Sequence, residues 1–185
     1  MNATRTARTI TNDSAPVAAG PETTRHATRY VLAGLRIALG WIILWAFLDK
    51  LFGLGFSTAS DKAWINGGSP TAGFLGNAVK GPFEGFYHSI AGAAWADTLF
   101  MIALLAVGTA LILGVGMRIA AIAGGLLLVM MWTAVLPPEN NPFMDDHLIY
   151  AGVLAVLALT AAGDTLGLGR MWANLPIVQR FPWLR

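Results

Sequence analysis

Lys50, Asp97 and His147 are the residues whose types suit chemistry at a membrane surface, because each is ionisable and lies next to a long apolar run. An imidazole titrates near neutral pH and so suits proton transfer. An ammonium group donates hydrogen bonds and a carboxylate accepts them. Trp41, Trp45 and Phe52 flank Lys50 and offer flat apolar faces. A few polar groups between aromatic walls suit a lipid-soluble quinone such as menaquinone or ubiquinone. Its carbonyl oxygen would accept from His147 or Lys50 while its ring packs on the aromatics. On this basis His147, Lys50 and Asp97 are candidate catalytic residues, and Trp41, Trp45 and Phe52 are candidate quinone-binding residues. Simple anchoring at the interface accounts for the same charges without catalysis. Asp145, Asp146 and His147 together read either as a weak cation site or, more economically, as a polar loop and helix N-cap.

Arg36 stands inside an apolar run, where ionisable groups are costly and face a partner or a polar cavity. Arg36, Gly40, Ile43, Phe47 and Lys50 follow three- and four-residue steps, which places them on one helix face. Snorkelling and a functional role are both open for Arg36. Asp164 is its expected partner in a structural intramembrane charge pair. The chain has no cysteine, which excludes disulfides, thiolate metal sites, iron–sulfur clusters and covalent haem attachment through Cys. Its histidines are His26, His88 and His147, none central to an apolar run, so a buried bis-histidine haem is not expected. Neither a metal site within the bundle nor a phosphate-cradling glycine loop is expected. The net charge of +2 argues against a nucleic-acid partner.

Lipid is the solvent that explains this composition. Charged residues make up 12% of the chain, hydrophobic residues 56%, and the mean hydropathy is +0.60. Soluble domains carry about 25% charged residues. Four runs reach the length of about 20 residues needed to cross a bilayer: about 30–52, 94–115, 117–136 and 143–163. The expected fold is therefore all-α, a four-helix transmembrane bundle. Small-xxx-small spacings at Ala106/Ala110, Ala110/Gly114, Ala120/Gly124 and Ala121/Gly125 suit close helix contact. Arg5, Arg8, Arg25, Arg29, Arg118, Arg170, Arg180 and Arg185 fall on one side, against Lys50, Lys62 and Lys80 on the other. The positive-inside rule puts both termini in the cytoplasm and the chain in the plasma (inner) membrane.

The expected domain, 30–170, is preceded by a disordered basic tail, 1–29, and followed by an interfacial tail, 171–185. The outer loop from Gly53 to about Ala93 is too aromatic for disorder. Ser60 before DKAWIN, closed by Gly67 and Gly68, predicts a short capped helix. Ser69 and Pro70 before TAGFLGNAVK predict a second. Trp64, Phe74, Phe83, Phe86 and Tyr87 are expected at the headgroup level of an outer lid.

The run GLRIALGWIILWAFLDKLFG resembles the first span of the DoxX-like membrane proteins. WINGGSPTAGFLGNAVKGPF resembles the outer loop of their actinobacterial members, and DDHLIYAGVLAVLALTAAGDTLGLGR their last span. The resemblance covers about 30–170. It implies a membrane subunit of a quinone-linked oxidoreductase, of the thiosulfate:quinone type, with redox subunits as partners. It transfers no catalytic residue. A non-catalytic anchor of a respiratory or redox-stress complex is the competing expectation. A small-solute transporter is a third, weakened by the small number of spans and the lack of an inverted repeat. A homo-oligomer remains open.

Overall fold

The computed structural model describes residues 22–185, whose regular elements are all helices, with no strand among them. Three helices are long and apolar enough to cross a membrane: α1 (Glu22–Phe52), α4 (Ala94–Leu113) and α5 (Met117–Ala134). Between α1 and α4 lie two 3-10 turns, Ser60–Lys62 and Trp64–Asn66, and two short helices, α2 (Ala72–Asn77) and α3 (Glu84–Ile90). After α5 come α6 (Asp146–Leu159), a 3-10 turn at Ala162–Asp164, α7 (Gly169–Ala173), α8 (Pro176–Arg180) and a last 3-10 turn at Pro182–Leu184.

Helices α4 and α5 stop two residues short of the expected 115 and 136, and two other elements differ more. Helix α1 starts at Glu22, so residues 22–29 are helical rather than part of a disordered tail; the rest of that expected tail lies outside the described residues. The fourth apolar run yields only the 14-residue α6. At 1.5 Å per residue it rises about 21 Å, short of a hydrocarbon core of about 30 Å. Both of its ends have a local cause. Asp145 is extended and its carboxylate accepts from the backbone N–H groups of His147 and Leu148, which starts the helix. Ala161 is left-handed, φ 50°, which stops it.

Helix α1 packs on α4, α4 on α5, and α5 on α6. Their shared core contains Leu39, Ile43, Phe47, Met101, Leu104, Leu111, Leu128, Leu154 and Leu157. The outward surfaces are equally apolar: Leu99, Ile102, Ile122, Leu126 and Leu159 are exposed. A helix apolar all round belongs in a nonpolar solvent. The predicted face of α1 is buried at Arg36, Gly40, Ile43 and Phe47, whereas its last member, Lys50, is half-buried and the neighbouring Asp49 is the buried residue there.

Glycine sets how closely α1 and α4 approach. A Cβ on Gly108 would lie 2.7 Å from the Leu44 backbone nitrogen, and one on Gly40 would lie 2.9 Å from the Leu111 Cβ. On α5, a Cβ on Gly124 would lie 2.9 Å from side-chain atoms of Leu154 and Val107, whereas Gly125 faces open space. So Ala120/Gly124 is an in-use small-residue pair and Ala121/Gly125 is not. Gly108→Leu is expected to force α1 from α4 and cost about 1–3 kcal/mol. A detergent unfolding titration should show a lower midpoint for it and no change for Gly125→Leu; equal midpoints would refute the close crossing.

Candidate functional site

At the loop end, two buried carboxylates hold the connection between α1 and α4. Asp49 is 1% exposed and accepts from the backbone N–H groups of Phe56, at 3.2 Å, and Ser57, at 3.0 Å. The Ser57 hydroxyl donates to it at 2.7 Å. This ties down the turn that leaves α1. Asp97 is 7% exposed and accepts from the Ser69 hydroxyl at 2.9 Å, the Thr71 N–H at 3.0 Å and the Thr71 hydroxyl at 2.6 Å. Thr71 in turn accepts from the Gly92 N–H at 3.1 Å, so one carboxylate gathers both ends of the α2–α3 segment.

The loop itself is partly as expected. The Ser69 hydroxyl accepts from the Ala72 N–H at 3.0 Å, at the start of α2. The DKAWIN stretch forms the two 3-10 turns with Ala63 extended between them, not one helix. Helix α3 is an additional element. Phe74, Phe83 and Phe86 are exposed, but Tyr87 is buried. Its hydroxyl donates to the Met130 carbonyl at 2.8 Å and lies 2.5 Å from the Thr133 hydroxyl, which fastens α3 to α5 instead of placing the ring at a surface.

Lys50, Asp97 and His147 are not bonded to one another among the described residues. Lys50 is half-buried at the end of α1. Asp97 takes all three of its bonds, from Ser69 and Thr71, on the single oxygen Oδ1. The His147 Nδ1 lies 2.5 Å from a carboxylate oxygen of Asp145, and the pair is half-buried at the start of α6. That contact orients the ring and leaves Nε2 as the atom available to a ligand. Trp41 and Trp45 have ring centroids 5.6 Å apart, and Phe56 packs edge-on to Trp45 at 5.2 Å. Trp41 and Phe52 are about half exposed. These rings form an open aromatic strip rather than the walls of a closed chamber.

Arg36 requires a correction. Its side chain is completely buried, yet its partners are backbone carbonyls, not Asp164. Nη1 donates to the carbonyls of Leu111 and, at 2.9 Å, Ile112. Nη2 donates to those of Thr165, at 3.2 Å, and Leu166, at 2.8 Å. Guanidinium has five N–H donors. Four are used here, and the Nε–H is buried without a partner. Asp164 pairs instead with Arg185 at 2.7 Å.

The physical reason is the end of α4. The last four carbonyls of a helix lack intrahelical partners. Ala110 is served by the N–H groups of Gly114 and Val115, and Leu111 by Gly114 and Arg36. Ile112 is served by Arg36, and Leu113 by the Leu168 N–H at 2.8 Å. A cation at a helix C-terminus is also favoured by the helix dipole. Carbonyl oxygens thus solvate the Arg36 cation without an acid. Small residues admit the guanidinium: a Cβ on Gly114 or Gly167 would come within 2.9 or 3.0 Å of its nitrogens.

The segment after α7 is more than an interfacial anchor. The Arg118 N–H donates to the Arg185 carbonyl at 2.8 Å, and its guanidinium to that of Pro182 at 3.1 Å. The Trp172 indole donates to the Leu184 carbonyl at 2.7 Å. Two cavities open at this basic end. One of about 140 Å³ lies by Gly114, Arg118, Asp164 and Trp172. Another of about 300 Å³ lies by His26, Arg29, Tyr30 and Arg170. Neither touches Lys50, Asp97 or His147. No group of three or more His, Cys, Asp or Glu side chains gathers as a metal site among the described residues.

Comparison with protein-family models, curated proteins and solved structures yields no match for this chain.

Proposed function

We propose that the chain is an integral membrane subunit of a quinone-linked oxidoreductase, and that it holds and positions partners rather than carrying electrons itself. The observation behind this is how its buried charges are used. Arg36, Asp49 and Asp97 are each bonded to backbone or hydroxyl groups of the same chain. They brace the two ends of the bundle. The half-buried His147, oriented by Asp145, is the group best suited to meet a quinone carbonyl. Lys50, the exposed Trp41 and Phe52 and the half-buried Trp45 supply further polar and aromatic surface along the same part of α1. This supports an open, lipid-facing seat. In the proposed arrangement α6 completes a fourth crossing with its flanking residues, the arginine-rich end faces the cytoplasm, and the loop end faces outward in the plasma membrane.

Purification of the chain from its native membrane in mild detergent should recover redox partner subunits and quinone together. His147→Ala is expected to lower the retained quinone several-fold without changing partner recovery. Recovery of partners with no quinone in either form would leave a pure anchor. Recovery of neither would overturn the proposal.

A further inference from the structure

The geometry points to a binding site for a phosphate headgroup of an anionic phospholipid in the 300 Å³ cavity at the basic end. His26, Arg29 and Tyr30 stand three and four residues apart on α1, so they share one helix face and line one wall. Arg170, in the first turn of α7, faces them together with Thr165 and Leu166. Neither Arg29 nor Arg170 has a hydrogen-bond or ion-pair partner among the described residues, and both side chains are exposed. Asp164 also borders the cavity, but Arg185 neutralises it at 2.7 Å. The cavity therefore presents two guanidinium forks, an imidazole and a phenol, with no uncompensated acid. Guanidinium binds phosphate oxygens in a bidentate manner, and a phenol adds a further donor.

The carbonyls of Thr165 and Leu166 in this wall are held by buried Arg36. One further observation favours lipid over a soluble anion. Directly along α1 from the basic face, Tyr30, Val31 and Leu35 are 57%, 62% and 47% exposed. A phosphate held between Arg29 and Arg170 would thus have apolar surface beside it for acyl chains. Basic pockets between membrane helices are suited to such headgroups. The site requires only that this end lie at a headgroup layer, and it is independent of the quinone proposal.

The test uses the full chain in lipid nanodiscs and counts retained phospholipid by native mass spectrometry, with phosphatidylglycerol titrated into phosphatidylcholine. Arg29→Gln and Arg170→Gln are each expected to weaken phosphatidylglycerol retention about fivefold, the effect of one basic side chain near a membrane surface. Arg180→Gln, which removes an equal charge outside the cavity, should change it less than about twofold. Arg29→Lys should restore part of the loss, which separates binding from misfolding. Equal losses in all three Gln variants would mean diffuse attraction and overturn the site. Full displacement of the lipid by millimolar glycerol phosphate would assign the cavity to a soluble phosphate and overturn the lipid as its occupant.

Discussion

Arg36→Met should destabilise the bundle by about 3 kcal/mol. Methionine fills much of the same volume but donates nothing. Leu111 keeps its bond from Gly114, whereas the carbonyls of Ile112, Thr165 and Leu166 lose the partner described above. Each buried unsatisfied group costs about 1–3 kcal/mol. Removing a buried cation relieves its desolvation, which offsets part of this. Replacing buried ions is often harmless when both partners become apolar, but here the partners are backbone and cannot be replaced. The loss therefore wins. Arg36→Lys should be intermediate, because a compact ammonium cannot bridge two pairs of carbonyls on separate segments. Asp164→Asn should cost about 1 kcal/mol or less, as expected for a partly exposed ion pair. Detergent unfolding midpoints should fall in that order. Similar midpoints for Arg36→Met and Asp164→Asn would restore the charge pair.

Asp97→Ala should release the loop between α1 and α4 while leaving the helices intact. Its carboxylate accepts three hydrogen bonds, and bonds to a charged group contribute about 1.5–3 kcal/mol each. Allowing for water replacing some of them, about 3 kcal/mol of local stability should be lost. That corresponds to faster amide exchange by about 100-fold. Deuterium uptake should rise at Thr71 and Gly92, whose N–H groups depend on Asp97 and on Thr71 respectively. Uptake in α4 and α5 should hold. Unchanged protection across 69–92 would show that packing alone retains the loop. Asp49→Ala should have the corresponding effect at Phe56 and Ser57 only.

The buried face of α1 was legible because periodicity needs no knowledge of neighbours: Arg36, Gly40, Ile43 and Phe47 all face inward. The starts of α4 and α5, at Ala94 and Met117, were legible too, whereas each helix stops two residues before the expected 115 and 136. Asp145 as a helix cap follows from a local pattern. Gly108 was not found by small-xxx-small spacing, because its role depends on where Leu44 crosses. Asp49 was not among the candidate residues. The available signal was a carboxylate in the last turn of a helix followed by a glycine-rich loop whose N–H groups need acceptors. Arg36 was recognised as unusual but given the wrong partner, since charge invites an acid and backbone carbonyls carry no signature in the sequence.

The sequence by itself determined the helical class, the apolar rods long enough for a membrane, and the sorting of arginines to one end, because each depends on solvent and on residues close along the chain. Tertiary structure decided which polar groups were already taken. Arg36 turned out to cap α4, Asp97 to tether the loop, and Asp164 to hold Arg185. Those pairings join residues 75, 26 and 21 positions apart or more, so they arise only when the helices pack. A residue's type states what it can bind, and its neighbours in space determine whether any of that capacity remains for a ligand.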